Sequence, residues 1–273
     1  MPTDFLILLE DGLPLRCTRF PAKSTPAALI LIAHGYKGFK DWGMFPYAAE
    51  RLSQHHEVVT FNFSHNGIGE EPLELTELER FAVNTRDREL ADLHALVLHL
   101  RQEESLQELP LFLIGHSLGA GIALVYGLDH PDAISGVISW NGVTSLDLLT
   151  AKQKEEMRTA GRSYVVNGRT GQRMPLDKAI LDDLERQRGR YDIIPRLTAA
   201  GPLFPVVLIQ GTEDGAHLRQ GSAKLTEARP DIDWVQIPGG NHTFGTVHPF
   251  RGPTPQLEQA LQASLAFVAE RLD

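Results

Sequence analysis

A serine between two glycines is the residue in this sequence best suited to nucleophilic chemistry. Ser117 stands in Gly115-His-Ser-Leu-Gly119, after an apolar run of strand length and before a run of small residues typical of a helix. A serine on such a sharp turn exposes its hydroxyl, and the two glycines leave room for the turn and for close helix packing. The helix directs its positive dipole end at a reacting carbonyl. Because the five-residue pattern alone also occurs by chance, its strand-to-helix context favours a nucleophile over a turn that only packs a helix on a sheet.

A serine hydroxyl becomes nucleophilic when a neutral imidazole accepts its proton and a carboxylate orients that imidazole. His242 lies in a glycine-rich loop just after the last apolar strand, and loops at the carboxyl ends of strands are where an open α/β sheet forms its site. It is therefore the candidate base, and His248 is the alternative. Two acids, Glu213 and Asp214, follow the preceding strand, and the turn has room for only one of them to face the imidazole.

Three other histidines lie near turns that could carry chemistry. His34 follows a buried strand into a glycine turn, His116 precedes the candidate nucleophile, and His65 ends a strand. We expect structural roles for His34 and His116. For His65 a place in a pocket wall is possible, but a hydrogen-bonded structural role is favoured.

Short apolar segments alternate along the chain with longer amphipathic segments. The predicted strands cover residues 5–9, 13–20, 27–33, 58–63, 109–114, 134–140, 205–209 and 232–237. The predicted helices cover residues 45–54, 84–101, 118–128, 216–228 and 256–272. Asp11-Gly12 predicts a hairpin turn between the first two strands. The alternation then indicates βαβ crossovers and a mostly parallel sheet with helices on both faces, which is an α/β fold.

Residues 142–201 interrupt this alternation because they contain no buried-strand pattern. A stretch this long is rarely a bare loop in a compact domain. We expect helices at 144–158 and 176–188, with a turn or small hairpin at 164–170 between them. The sequence therefore predicts a cap, inserted at about 143–200, over one edge of the sheet of a single domain.

The hairpin, the strand order, the Gly115–Gly119 motif and the insertion together resemble the α/β-hydrolase superfamily, specifically the small bacterial serine hydrolases near its dienelactone-hydrolase and S9-peptidase-like branches. The resemblance covers nearly the whole chain. It implies a mostly parallel eight-stranded sheet with helices on both faces and a small inserted cap. In that family the nucleophile, the acid and the histidine follow one another in this chain order.

Carried over residue by residue, the resemblance implies a catalytic triad of Ser117, Asp214 and His242, because the family pattern of strand, glycine, two residues and aspartate selects the second of the two acids. It also implies an oxyanion hole formed by two backbone N–H groups. One belongs to Leu118, which follows the nucleophile, and the other to Tyr36, which follows the His-Gly pair after the first buried strand. Such donors stabilise the negative charge that develops on the former carbonyl oxygen.

Carboxylesterase activity on small or medium acyl esters is the expected function, because an ester needs little activation of its leaving group. An aminopeptidase or other amidase, or a thioesterase, would use the same triad and is an alternative. A catalytically silent binding module would predict a broken triad, and the sequence shows no break.

We expect no cofactor and no metal, and a small-molecule ester, peptide or amide as the partner. Arg162, Arg169 and Arg173 of the insertion could bind an acidic substrate group, although a solvated face is favoured.

Composition excludes several other classes of protein. The net charge of −9 disfavours nucleic acid as a partner, because nothing would offset the phosphate charge, and a single cysteine excludes a disulfide framework. The longest apolar run, residues 27–33, is far shorter than the roughly 20 residues that span a bilayer. Since no basic segment precedes the first apolar patch, we expect no signal peptide and a cytoplasmic location. The 273 residues fit one large α/β domain or two small ones.

Overall fold

The structure, a computed structural model, describes residues 1–272. Its strands are β1 (Thr3–Leu8), β2 (Pro14–Phe20), β3 (Leu29–Ala33), β4 (Glu57–Phe61), β5 (Leu111–His116), β6 (Gly136–Trp140), β7 (Arg162–Val166), β8 (Arg173–Asp177), β9 (Val206–Gly211) and β10 (Asp233–Ile237). Eight of them form one sheet in the order β1-β2-β4-β3-β5-β6-β9-β10. In this sheet β2 is antiparallel to β1 and β4, and the other neighbours are parallel. The prediction of a mostly parallel eight-stranded sheet is confirmed.

Helices cover both faces of this sheet. They are α1 (Phe45–Leu52), α2 (Leu78–Ala82), α3 (Arg86–Leu100), α4 (Leu118–Asp129), α5 (Ala151–Ala160), α6 (Lys178–Arg186), α7 (Ile193–Ala200), α8 (Ala216–Ala228) and α9 (Pro255–Ala269). One core layer lies beneath α1 and α9, and the other lies beneath α3, α4 and α8. Within the described residues, no helix has both the length and the apolar character needed to cross a membrane.

Burial on both faces explains why the central strands are continuous apolar runs. Every residue of β3 is buried. Leu29 and Leu31 pack in the core layer that contains α3 and α4, whereas Ile30 and Ile32 pack in the layer that contains α1 and α9. Successive side chains of a strand point to opposite faces, so a strand covered on both sides must be apolar throughout.

Side-chain caps set the starts of several helices. The predicted helix at 144–158 is wrong at its start, because α5 begins only at Ala151. Thr150 forms a capping box there: its hydroxyl accepts a hydrogen bond from the Gln153 amide, and the Gln153 side chain accepts one from the Thr150 amide. The short helices α2 and α7 were not predicted, since five and eight residues are too few for a clear helical period.

The segment between β6 and β9 contains a β7–β8 antiparallel hairpin and helices α5 to α7. Its buried side chains, such as Met157 and Met174, join the same core layer as α4. Arg162 is held by Glu79 of α2 and by Asp177 at the end of the hairpin. The guanidinium of Arg162 is therefore already paired with two carboxylates.

Candidate active site

The turn at residues 115–119, called the elbow below, holds Ser117 in a strained backbone conformation. Ser117 has φ 54° and ψ −116°, a region that L-residues rarely adopt. Its amide donates to Trp140 O (2.9 Å) and its carbonyl accepts from the Val143 amide (3.1 Å), so the loop after β6 holds the turn from one side. Cβ atoms added at Gly115 or Gly119 would overlap the backbone of α4 or the Ala33 carbonyl. Both glycines are therefore required by close packing.

This packing predicts a large loss of stability in the variant Gly119→Ala. The added methyl group would meet backbone oxygens of β3 and of the following residue, which cannot rotate away as a side chain would. We expect the free energy of unfolding to fall by about 3 kcal/mol in a denaturant titration. Gly168→Ala is the matched control, since a Cβ there has no neighbour within 4 Å. Equal stability of the two variants would contradict the packing argument.

His242 and Asp214 form a directly hydrogen-bonded pair. Nδ1 of His242 donates to Oδ1 of Asp214 over 2.8 Å. Because a carboxylate only accepts, this bond puts the imidazole proton on Nδ1 and leaves Nε2 free to accept another. Asp214 also accepts from Gln210 Nε2 (3.0 Å) and from the Gly215 amide (2.7 Å). Burial by itself would raise the pKa of the Asp214 carboxyl, but these hydrogen bonds outweigh it and hold that pKa below its ordinary value.

The loop that carries His242 is fixed against the elbow. Nε2 of His116 donates to His242 O (2.7 Å), and the two imidazole rings lie 4.9 Å apart between centroids. Asn141 Nδ2 donates to the same carbonyl (3.0 Å), and Asn141 Oδ1 accepts from the Gly211 amide. Since His116 immediately precedes Ser117, the His242 ring lies beside the elbow. The Ser117 hydroxyl forms no hydrogen bond to His242 in this structure, as is common before substrate binds.

The loop after β3 packs directly on the elbow. A Cβ added at Gly35 would lie 3.0 Å from the Ser117 Cβ. Within residues 1–272, neither the Tyr36 amide nor the Leu118 amide donates a hydrogen bond. Lys37, which has φ 59°, extends from this loop to the insertion, where its ammonium group donates to Val166 O (3.2 Å). Both amides are thus unpaired: Leu118 directly follows the serine, and Tyr36 follows Gly35, which packs on it.

The remaining candidates are held in structural hydrogen bonds. Nδ1 of His34 donates to Gly35 O (2.9 Å), and burial lowers the pKa of His34 to about 4 and that of His116 to about 3, so both stay neutral at pH 7. His248 accepts from the Gly43 amide (3.0 Å), and His65 bonds to the neighbouring Ser64 hydroxyl (2.8 Å). Glu213 is exposed and lies outside the His242 pair.

A cavity of about 180 Å³ lies between Tyr36 and the insertion. Aliphatic side chains from the insertion make up most of its wall, and the guanidinium of Arg86 supplies a charged part of it. Arg86 is not a candidate from the sequence alone, because a charged residue at a helix start is usually solvated. Among the described residues, no cluster of histidine, cysteine, aspartate or glutamate is arranged to hold a metal ion.

Comparison with known proteins identifies the family. Residues 24–188 match the model of the family described as serine aminopeptidase, S33. The chain is 23% identical over 246 residues to monoglyceride lipase of Rattus norvegicus, a match that covers 82% of this chain and 77% of that protein. Among solved structures, it is similar to Est1E from Butyrivibrio proteoclasticus with ferulic acid bound (17% identity, TM-score 0.71, covering 98% of this chain and 99% of that one). It is also similar to mouse alpha/beta hydrolase domain-containing protein 10 (16% identity, TM-score 0.70, covering 99% and 100%). The chain belongs to the serine aminopeptidase S33 family of α/β-hydrolase serine hydrolases.

Proposed function

We propose that this chain is a carboxylesterase that cleaves small or medium acyl esters with the triad Ser117, His242 and Asp214. The observation that carries the proposal is the 2.8 Å bond between His242 Nδ1 and Asp214, formed beside a serine that is held at φ 54°. The name of one relative, monoglyceride lipase, supports ester cleavage as the reaction class.

The proposed reaction has two halves. Nε2 of His242 takes the proton of the Ser117 hydroxyl as the oxygen bonds to the ester carbonyl carbon. The tetrahedral oxyanion accepts hydrogen bonds from the amides of Tyr36 and Leu118. When the bond to the alcohol oxygen breaks, His242 gives its proton to that oxygen, and the acyl group remains on the serine. Water then attacks the acyl-enzyme with the same base, which releases the acid and restores the hydroxyl.

The electrostatics of the site support these roles. The pKa of Asp214 is held below its ordinary value, so this carboxylate remains ionised and stabilises the imidazolium that forms on His242. His34 and His116 stay neutral because burial lowers their pKa values. Neither ring therefore adds a positive charge that would oppose protonation of His242.

The choice of an ester over an aminoacyl amide rests on the neighbouring cavity. An aminopeptidase has to hold the free ammonium group of its substrate, for which a carboxylate is the natural partner. The described residues that line the cavity include Arg86 and no acidic side chain. We further propose that the insertion at about 143–200 is a cap whose hairpin and helices form the outer wall of this cavity.

Labelling with a fluorophosphonate probe, followed by a substrate panel, tests the proposal. We expect the probe to label Ser117, and p-nitrophenyl esters with two to eight acyl carbons to be cleaved faster than aminoacyl p-nitroanilides and acyl thioesters. Absence of labelling at Ser117 would indicate a silent binding module. Preferential cleavage of the anilides would identify an aminopeptidase, and preferential cleavage of the thioesters a thioesterase.

A further inference from the structure

The 180 Å³ cavity begins at the residue that supplies a proposed oxyanion donor. Gly35 packs on Ser117, and the next residue, Tyr36, has an unpaired amide and a ring in the cavity wall. The Tyr36 ring is fixed by stacking on Phe81, with centroids 5.7 Å apart. The cavity lining does not include Ser117, so an acyl group whose carbonyl oxygen binds the Tyr36 amide has to pass along the Tyr36 ring to enter the cavity.

Arg86, Thr150 and Gln153 supply polar parts of the cavity wall. Thr150 and Gln153 are bonded to each other in the capping box, whereas the buried guanidinium of Arg86 has unused donors. Arg86 is 2% exposed, and its guanidinium carbon lies 5.7 Å from the centre of the Tyr36 ring. Nε donates to Leu146 O (3.2 Å) and Nη1 donates to Glu89 (3.2 Å). Nη2 forms no hydrogen bond within residues 1–272, and it is not among the side-chain atoms that are both fully buried and unpaired, so it retains accessible surface. The Nη2 donors are therefore available to a ligand that brings an acceptor.

The charge around Arg86 determines what kind of acceptor fits. Glu89, itself buried, already neutralises the guanidinium, and Asp183 accepts from the Arg86 amide (3.0 Å). Asp183 is itself paired with Arg186 (3.1 Å), so two carboxylates and two guanidinium groups already balance. A carboxylate ligand would add an unpaired negative charge to a site of low polarity, which is unfavourable. An uncharged oxygen, such as a hydroxyl or ether, can accept from Nη2 without that cost.

The size of the cavity limits the group that carries this oxygen. An apolar cavity of about 150 Å³ accommodates one benzene ring. The aliphatic wall formed by Leu148, Val165, Leu176 and Ile180 suits a ring or a short chain of similar volume. A long unbranched acyl chain exceeds this space.

We propose that Arg86 is a specificity-determining residue, and that the cavity takes an acyl group of about one ring whose far end carries an uncharged oxygen hydrogen-bonded to Nη2. The inference rests on the proposed function, because it places the acyl side of an ester in this cavity. The cavity wall then distinguishes an oxygen from a methyl group at one position of the substrate, and this selection does not depend on the triad.

Binding is measured without turnover in the Ser117→Ala background, so that the inference and the proposed catalysis are tested separately. The ligands are methyl 3-(4-hydroxyphenyl)propanoate and its 4-methyl and 4-carboxy analogues, titrated by calorimetry. We expect the hydroxyl compound to bind about ten- to a hundredfold more tightly than the other two. Equal binding of the hydroxyl and methyl compounds, or tightest binding of the carboxylate, would overturn the inference. Absence of p-nitrophenyl acetate hydrolysis by the wild type would instead refute the proposed function.

The double variant Arg86→Met with Glu89→Gln removes both charges of the buried pair, since losing only the arginine would leave an unpaired carboxylate. The ratio of its affinities for the hydroxyl and methyl compounds should fall to about one; an unchanged ratio would overturn the role of Arg86.

If this variant does not fold, two substitutions on β7 test instead whether the ligand binds in the cavity. Val165→Phe fills the cavity and should weaken binding of both compounds at least tenfold, whereas Val166→Phe, on the exposed face of the strand, should not. Wild-type binding by Val165→Phe would place the ligand elsewhere.

Discussion

Ser117→Ala is expected to lower kcat/KM for p-nitrophenyl butyrate by about 10⁴–10⁶-fold. The substitution removes the oxygen that bonds to the acyl carbon, and no other group can take that place within the same geometry. Stability should change by less than about 0.5 kcal/mol, because alanine keeps the Cβ and the Ser117 hydroxyl has no hydrogen bond to lose in the described residues. Steady-state kinetics and urea titration on the same preparation measure both effects.

Ser64→Ala is the informative control, because Ser64 is a second serine hydrogen-bonded to a histidine. Its hydroxyl lies 2.8 Å from Nδ1 of His65, and its amide donates to the buried Asp92. Burial lowers the pKa of His65 to about 4, so this imidazole is a weak base. We expect Ser64→Ala to keep activity within a few-fold of the wild type. An active Ser117→Ala variant together with an inactive Ser64→Ala variant would show that Ser64 is the nucleophile.

The sheet could be predicted from sequence because its burial is repetitive. A strand such as β3, with five apolar residues in a row, has few arrangements other than burial between two helix layers. Helices with regular apolar spacing, such as α3, were predicted with ends within two residues of those observed. The insertion was harder to predict. The start of α5 is set by a side-chain cap, and β7 has mixed burial, so neither element shows a regular spacing of apolar residues.

The site could be predicted only in part, for a different reason. Strand order brings the ends of β5, β9 and β10 to one edge, so a serine and an acid after two such strands are natural candidates. The choice of Asp214 over Glu213 needed the family pattern, because both follow the same turn. Arg86 could not be predicted as a site residue from the sequence. Its burial depends on Leu146 and Asp183, which are distant in sequence, and no local pattern encodes that contact.

The substitution Asp214→Asn tests the acid of the proposed triad. An amide at position 214 can still contact the His242 ring, but it no longer carries the negative charge that stabilises the imidazolium, and it allows the opposite tautomer with the proton on Nε2. We expect kcat/KM to fall by about 10⁴-fold, with a smaller change in KM than in kcat. Kinetics with p-nitrophenyl butyrate and the rate of fluorophosphonate labelling should both show the loss, since each depends on removing the serine proton.

Glu213→Gln is the matched control one residue earlier, with the same loss of charge in the same turn. Its side chain is exposed, whereas that of Asp214 is buried and accepts hydrogen bonds from His242, Gln210 and Gly215. The neutral amide at 213 should therefore leave kcat/KM within about threefold of the wild type, as expected for a solvated charge that is screened by water. If the loss appears in Glu213→Gln and not in Asp214→Asn, the loop has to rearrange before reaction, and the hydrogen bond seen between His242 and Asp214 is not the one used in catalysis.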